Sequence, residues 1–436
     1  MSFITEKRPI TAIIVGAGHR SLLYASYALE HPEELKIVGV VEPDAIRRNE
    51  TCKKFSIAEE NAFESVDELL ERPVMADAVI NGTMDALHVP LTIPLLKKGY
   101  NVLLEKPIGI SKEEVMDLWK TAQETGKIVM ICHVLRYAPF YVEIKKRIAS
   151  GDIGKVIHIE TAENVSYHHM ATAFVRGKWG SKARCGSGML MAKCCHDLDI
   201  VSWMKSGVAP VSVASFGELT QFKREKAPDG AGTRCLVDCK IEDKCPYSAK
   251  RLYIDKGLWK FYAWESIEHL GGSQASDEVK IESLKTNNPY GRCVWHSDND
   301  VVDHQAVIVH FEDGCIAVHS LIGATARPCR TIHIVGTEGE ILGVMEDGQF
   351  VVRHPSLEVD REYTEEVVKI DVQMDMHGGG DMRLVEDFVR RLRGESPSIS
   401  STVLEDSIYG HLIGFAAEQS ADEKRSIDID GWWKCL

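Results

Sequence analysis

The chain has 436 residues, 44% of them hydrophobic, which is enough for two domains with separate cores. Its 65 acidic residues outnumber its 51 basic ones, giving a net charge of −14, and no long basic run is present to neutralise a nucleic-acid backbone. No apolar run approaches the roughly 20 residues of a membrane span, and Met1 to Ile10 lacks the apolar stretch of a secretory signal.

These features predict a soluble cytoplasmic protein that binds neither nucleic acid nor membrane. The twelve cysteines, spread over a large chain without a signal, are expected as reduced thiols or metal ligands.

From Ile10 to Cys132, short Val- and Ile-rich runs alternate with amphipathic stretches. Ile10 to Val15, Ile37 to Val41, Ala78 to Ile80, Val102 to Leu104 and Ile128 to Ile131 are predicted as buried strands of a parallel sheet. Ser111 and Glu114 form a capping-box pattern, and Gly126 stands where that helix should stop. The region 1–134 is therefore read as an α/β Rossmann domain.

The first strand runs into Gly16-Ala17-Gly18-His19-Arg20-Ser21 and a helical stretch. Glycines there let the backbone turn tightly and approach a pyrophosphate held at the positive end of the helix. Glu42 ends the second strand, near the spacing at which a carboxylate accepts hydrogen bonds from the adenosine ribose. It would repel the additional phosphate of NADP, so NAD is the expected cofactor. Arg47 and Arg48 keep the alternative open, because a guanidinium can move to a 2′-phosphate.

After Phe140, longer stretches of alternating polar and apolar residues, such as Lys155 to Glu160 and His304 to Phe311, predict a large, mainly antiparallel sheet. The region 135–436 is read as an α+β domain for substrate and oligomerisation, in a homo-oligomer of two or four chains. It carries an irregular excursion at about 229–300. Within this excursion Cys235, Cys239, Cys245 and Cys293 are candidate ligands of a structural zinc, the alternative being packed thiols.

From Glu105-Lys106-Pro107 onward the sequence resembles the glucose-fructose oxidoreductase/inositol dehydrogenase (Gfo/Idh/MocA) family. The resemblance extends to Asn81-Gly82-Thr83 and His88, to His133-x-x-Arg136-Tyr137, to Gly151-x-x-Gly154 and to Lys193-Cys194-Cys195-His196-Asp197-Leu198-Asp199. It implies that Lys106 is the active-site lysine and Pro107 a cis-proline. Many family members carry Asp where this chain has Ala192, so a proton relay through that position is not implied here.

Oxidising a secondary alcohol requires a base for the hydroxyl proton and a cation beside the developing alkoxide. His196 is the candidate base and Lys106 the candidate cation, with Lys193 or Asp199 as substitutes for the missing relay. If Lys193 to Asp199 is helical, Lys193, His196 and Asp199 share roughly one face. The expected cofactor contacts are Gly16, Gly18, His19, Arg20, Glu42, Asn81, Thr83, His88, Glu105 and Lys106.

Arg136, Tyr167, His169, Arg176, Trp179, Asp199 and His304 are candidates for a carbohydrate, whose sites combine aromatic faces with fixed hydrogen-bond partners. His377 to Asp381 carries less weight, because its three glycines also suit a plain turn. The expected activity is hydride transfer between a sugar, glycoside or cyclitol and NAD. Two alternatives stand beside it: a glycosidase that oxidises its sugar transiently with retained NAD, and a non-catalytic NAD-binding regulator.

Overall fold

The computed structural model describes residues 4, 8–371 and 376–432. Its first sheet comprises β1 (Ile10–Val15), β2 (Leu35–Val41), β3 (Ala62–Phe63), β4 (Ala78–Asn81), β5 (Asn101–Leu104) and β6 (Val129–Ile131). They run parallel in the order β3-β2-β1-β4-β5-β6. Both faces are covered, which is why these strands read as unbroken apolar runs: Ile13 and Val79 are fully buried on one side, Ile14 and Leu103 on the other.

The capping box forms as expected. The Ser111 Oγ accepts the Glu114 amide at 3.2 Å, and the Lys112–Thr125 helix ends at Gly126 with φ +62°. The order of the strands reverses at β1 and β4, which opens a crevice at their carboxyl ends.

The second sheet has nine strands: β7 (Val156–Ser166), β8 (Pro210–Glu218), β9 (His304–Phe311), β10 (Ile316–Thr325), β11 (Cys329–Gly336), β12 (Glu340–Val344), β13 (Gln349–Pro355), β14 (Tyr363–Lys369) and β15 (Ile427–Asp428). Their order is β14-β13-β12-β11-β7-β10-β9-β8-β15, and every neighbouring pair is antiparallel except β7 with β10. One face packs on the Met189–Met204 helix, in which Lys193 is the one residue not buried. The other face is open and mixed in character, with Phe216 75% exposed and Ile308, Ile316 and Ile322 also exposed.

The boundary expected at 134/135 does not separate the cores. Leu384, Val385, Phe388 and Leu392 of the Gly380–Leu392 helix lie in one cluster with Ile10, Ile14 and Tyr24 of the first domain. Leu404, Ile408 and Leu412 of the Leu404–Glu423 helix pack likewise against Val102, Leu104 and Ile131. Burying each such side chain stabilises the fold by about 1.5–3 kcal/mol, so the C-terminal helices are part of what holds the first sheet.

The predicted excursion is the chain between β8 and β9, built of short helical turns. Among the described residues, no helix is long and apolar enough to cross a membrane.

Candidate active site

The crevice over β1 and β4 gathers the expected cofactor residues. Gly16 adopts φ +79°, and a Cβ there would meet Thr83 Cγ2 at 2.9 Å, so the turn requires glycine. A Cβ on Gly18 would meet nothing nearer than the Gly82 carbonyl at 3.9 Å. Gly18 also caps the His19–Ala25 helix without a side-chain acceptor, which leaves the first amides to a ligand. Ser21, fully buried, supplies the close packing of the fingerprint's last position: a Cβ on Gly82 would lie 2.2 Å from its Oγ. This open backbone beside a helix start fits a dinucleotide pyrophosphate.

Glu42 lies at the end of β2, where its carboxylate accepts the amides of Ala17 at 2.7 Å and Asp44 at 3.0 Å. The two arginines that could receive a 2′-phosphate are engaged elsewhere. Arg47 binds Glu265 at 2.9 Å and Glu268 at 3.0 Å, and Arg48 binds Glu64 at 2.8 Å.

Asn81 and His88 act as internal braces. Asn81 accepts from the Thr83 amide and hydroxyl, and the His88 ring spans the carbonyls of Pro107 (2.6 Å) and Thr83 (3.1 Å). Glu105 bonds Arg20 at 2.8 Å, and Arg20 reaches on to Asp381 at 2.5 Å. Burial works against the Glu105 anion, but the charges of Arg20 and Lys106 hold its carboxyl below the usual range.

Lys106 reaches the helix that carries His196 through one peptide group. The Lys106–Pro107 bond is cis, and Lys106 Nζ donates to the Ala192 carbonyl at 2.9 Å, one helical turn before His196. His196 is 4% exposed, and its ring lies edge-on to His133 at 6.0 Å.

The shared face expected for Lys193, His196 and Asp199 is split. Spacing of three residues leaves 60° between successive side chains on a helix. Lys193 turns to the sheet and pairs with Glu163 at 3.3 Å. Asp199 turns the other way, to His133 at 2.7 Å and Arg136 at 2.6 Å. Burial opposes this carboxylate too, yet Arg136 and His133 bring it down to about 2. Arg136 also donates to the Ser401 and Asp406 carbonyls, so Arg136 and Asp199 form an internal brace rather than a substrate contact.

His304 is also displaced from the cleft. It pairs with Ile322 across the sheet, its side chain is 54% exposed on the open face, and it bonds Asp303 at 2.8 Å. The side chain of His377 lies outside the described residues, whereas Asp381 of that run is the partner of Arg20.

Tyr167, His169 and Trp179 do face a common wall, supplied by the excursion. Trp259 lies 4.4 Å from the His169 ring, Tyr262 is 5.6 Å from Trp179, and Lys256 donates to the Tyr167 hydroxyl at 2.9 Å. Burial, then the charge of Lys193, pushes the His169 ring well below its ordinary value, so it is neutral. Phe261 stacks on His19 at 4.4 Å with 13° between planes, which lays the excursion across the cofactor crevice. This aromatic wall was not anticipated, although Trp259, Phe261, Tyr262 and Trp264 crowd six positions of the sequence.

Among the described residues, the four expected zinc ligands do not form a set of mutually close ligand atoms. The two sets of three metal-type ligand atoms that converge within 4.8 Å among the described residues are Cys194/Asp197/His319 and His31/Glu33/Glu34, neither of which includes Cys235, Cys239, Cys245 or Cys293. A buried guanidinium ties the segment together. Arg176, 1% exposed, donates to the Arg292 carbonyl at 2.7 Å, the Tyr247 carbonyl at 2.6 Å and the Tyr253 hydroxyl at 3.2 Å, with Cys235 Sγ 3.5 Å away. Burial raises the thiols of Cys245 and Cys293, and the neighbouring Cys235 acts on both in the same direction.

Comparison with known proteins agrees with this architecture. Residues 10–133 match the model of an oxidoreductase family with an NAD-binding Rossmann fold, and residues 145–429 match that family's C-terminal alpha/beta domain. YteT of Bacillus subtilis (strain 168), an oxidoreductase by name, is 24% identical over 416 residues, covering 90% of this chain and 91% of its own. The scyllo-inositol 2-dehydrogenase (NAD(+)) of the same organism is 27% identical over 213 residues, 48% of this chain and 58% of that enzyme. A levoglucosan dehydrogenase solved with NADH and levoglucosan has the same fold, with a TM-score of 0.69 at 17% identity over 97% of this chain and 100% of that one.

Proposed function

The chain belongs to the Gfo/Idh/MocA oxidoreductase family, and from that premise we propose that it moves hydride between NAD and a secondary alcohol of a sugar, glycoside or cyclitol. The observation that carries the reading is the Lys106 Nζ bond to the Ala192 carbonyl, four residues before His196 on the same helix. Bound NAD supplies the hydride acceptor. His196 takes the hydroxyl proton, and the Lys106 ammonium lowers the energy of the developing alkoxide.

A cation that acts on the substrate oxygen needs to be charged and mobile, and among the described residues Lys106 Nζ donates to one neutral acceptor, the Ala192 carbonyl. Lys193, locked to Glu163, orients the helix rather than the reaction. Tyr167, His169 and Trp179, with Trp259 opposite, offer the apolar faces and fixed polar groups on which a sugar ring can lie. Scanning NADH formation over sugars, glycosides and cyclitols tests the assignment. Turnover with none of them, while NAD still binds, would defeat it in favour of a regulator.

A second reading keeps the same chemistry but returns the hydride before product leaves, giving net glycoside cleavage. It is favoured by the excursion lying over the crevice through Phe261 on His19 and Glu265 and Glu268 on Arg47. NAD co-purifying in equal amount, with glycoside cleavage and no net NADH, would select it.

The proposal includes a reducing cytoplasm, supported by described cysteines that are all free thiols. It also includes a homo-oligomer, supported by the exposed apolar side chains of Phe216, Ile308, Ile316 and Ile322.

A further inference from the structure

Between the excursion and the segment leading to the His196 helix lies a cleft of about 510 Å³. Its walls carry Arg176, Lys178, Arg184, Arg234 and Arg292, together with Tyr262. Such crowding of cations is unexpected in a chain whose net charge is −14. Like charges brought together raise one another's energy, and more so where water is partly excluded.

The protein supplies little to offset them. Asp298 serves two guanidiniums at once, Arg292 at 2.6 Å and Arg184 at 2.9 Å. Glu265, the acidic residue of the lining, is already paired with Arg47. Among the described residues, Arg176, Lys178 and Arg234 have no carboxylate within 4.0 Å. Arg234 donates to the Leu284 and Asn288 carbonyls, and Lys178 stands over the Trp179 ring at 4.8 Å. Burial, then the neighbouring charge of Arg292, makes the Arg234 guanidinium less basic than usual.

The cleft adjoins the reaction centre. Tyr262 is within electrostatic reach of Arg20, Glu105 and Asp85. On the opposite wall, the turn after Arg184 abuts the loop after Lys106: a Cβ on Gly186 would lie 2.9 Å from Ile110 Cγ2, and Ser187 bonds Asp85 at 3.0 Å.

We propose that this cleft binds an anionic substituent of the carbohydrate, a carboxylate or a phosphate, so that the substrate is an acidic sugar derivative rather than a neutral one. The proposal rests on the oxidoreductase reading above and narrows its substrate class. A guanidinium fork matches the paired oxygens of either anion, and Lys178 on its aromatic platform adds a point charge. The anion then anchors the ring, while the carbon to be oxidised is presented to Lys106 and His196.

The test uses the full chain saturated with NAD and two matched pairs of probes: D-galacturonate with D-galactose, and D-glucose 6-phosphate with D-glucose. By calorimetric titration, one charged probe should bind at least about tenfold tighter than its neutral partner. Lys178→Gln, and Lys178→Gln combined with Arg184→Gln, should remove that advantage, bringing the ratio of charged to neutral affinity within a pair to about one. Both side chains lie outside the core, so the variants retain the fold. Tighter galacturonate identifies a carboxylate and tighter sugar phosphate a phosphate, and either supports the proposal. Equal affinities within each pair, undetectable binding included, overturn it, as does an advantage that survives the double variant. NADH formation is followed in parallel: a charge preference without NADH from any probe supports the anion cleft and counts against the redox reading alone.

Discussion

His411, on the C-terminal helix, accepts the amide proton of Ile108 at its Nε2, 2.8 Å away, and so fixes the backbone two residues after Lys106. The other ring nitrogen faces the Ser407 carbonyl at 3.4 Å, which selects the tautomer protonated at Nδ1. The ring also stacks on His133 at 5.3 Å. Burial, then the neighbouring His133, depresses His411 to about 3.

A histidine whose folded value lies below its unfolded one costs stability as pH falls. The contribution is complete above the unfolded value of 6.5 and is lost progressively toward about 3. Between pH 7 and pH 5 the loss from this residue should be about 2 kcal/mol. His411→Ala should destabilise the protein at pH 7 by about 1–3 kcal/mol, because the Ile108 amide is left unpaired, and its penalty should shrink at pH 5. Urea unfolding of both proteins at the two pH values checks this, and parallel curves would refute it.

The cofactor preference follows from Glu42. NAD should bind tighter than NADP, and Glu42→Ala should narrow the gap while also weakening NAD, because the carboxylate holds the Ala17 amide of the glycine turn. Fluorescence titration with both dinucleotides measures it. Preference of the unaltered protein for NADP would mean that Arg47 leaves Glu265 and Glu268 to meet the phosphate.

Lys106→Ala and His196→Ala should each reduce turnover by about 10²-fold or more, with NAD affinity nearly intact, as expected for groups acting on the substrate oxygen. Lys193→Ala should reduce it less, since Lys193 faces Glu163. A His196→Ala enzyme turning over at a near-normal rate would move the base role to another group.

The features that sequence made legible are those in which one local pattern has one local outcome. Unbroken apolar runs became the parallel strands, alternation became β9, and Ser111 with Glu114 became a helix start. Side-chain direction is less local. Lys193, His196 and Asp199 looked alike in spacing, but the sheet on one side and Arg136 on the other divide them. The bonds Arg20–Asp381 and Ile108–His411 span 361 and 303 residues, and no periodicity encodes such a separation. The cysteines left metal ligation and thiol packing both open, because spacing in sequence does not fix where the sulfurs point, and Arg176 bonds across the same segment.

The excursion predicts a slow cofactor. Phe261 stacked on His19 should be worth about 0.5–1.5 kcal/mol, and the half-exposed pairs of Arg47 with Glu265 and Glu268 about 0–1 kcal/mol each. All three contacts bridge the excursion to the cofactor crevice, so each must break before a dinucleotide beneath them can leave. Their sum, about 2 kcal/mol, corresponds to roughly a 30-fold slower release. Phe261→Ala combined with Arg47→Ala should therefore release NAD at least about tenfold faster while leaving the Rossmann core intact, since Phe261 is 39% exposed. Stopped-flow displacement of bound NADH gives the rate directly. An unchanged rate would show that the segment opens independently of these contacts and would remove the structural support for a retained cofactor.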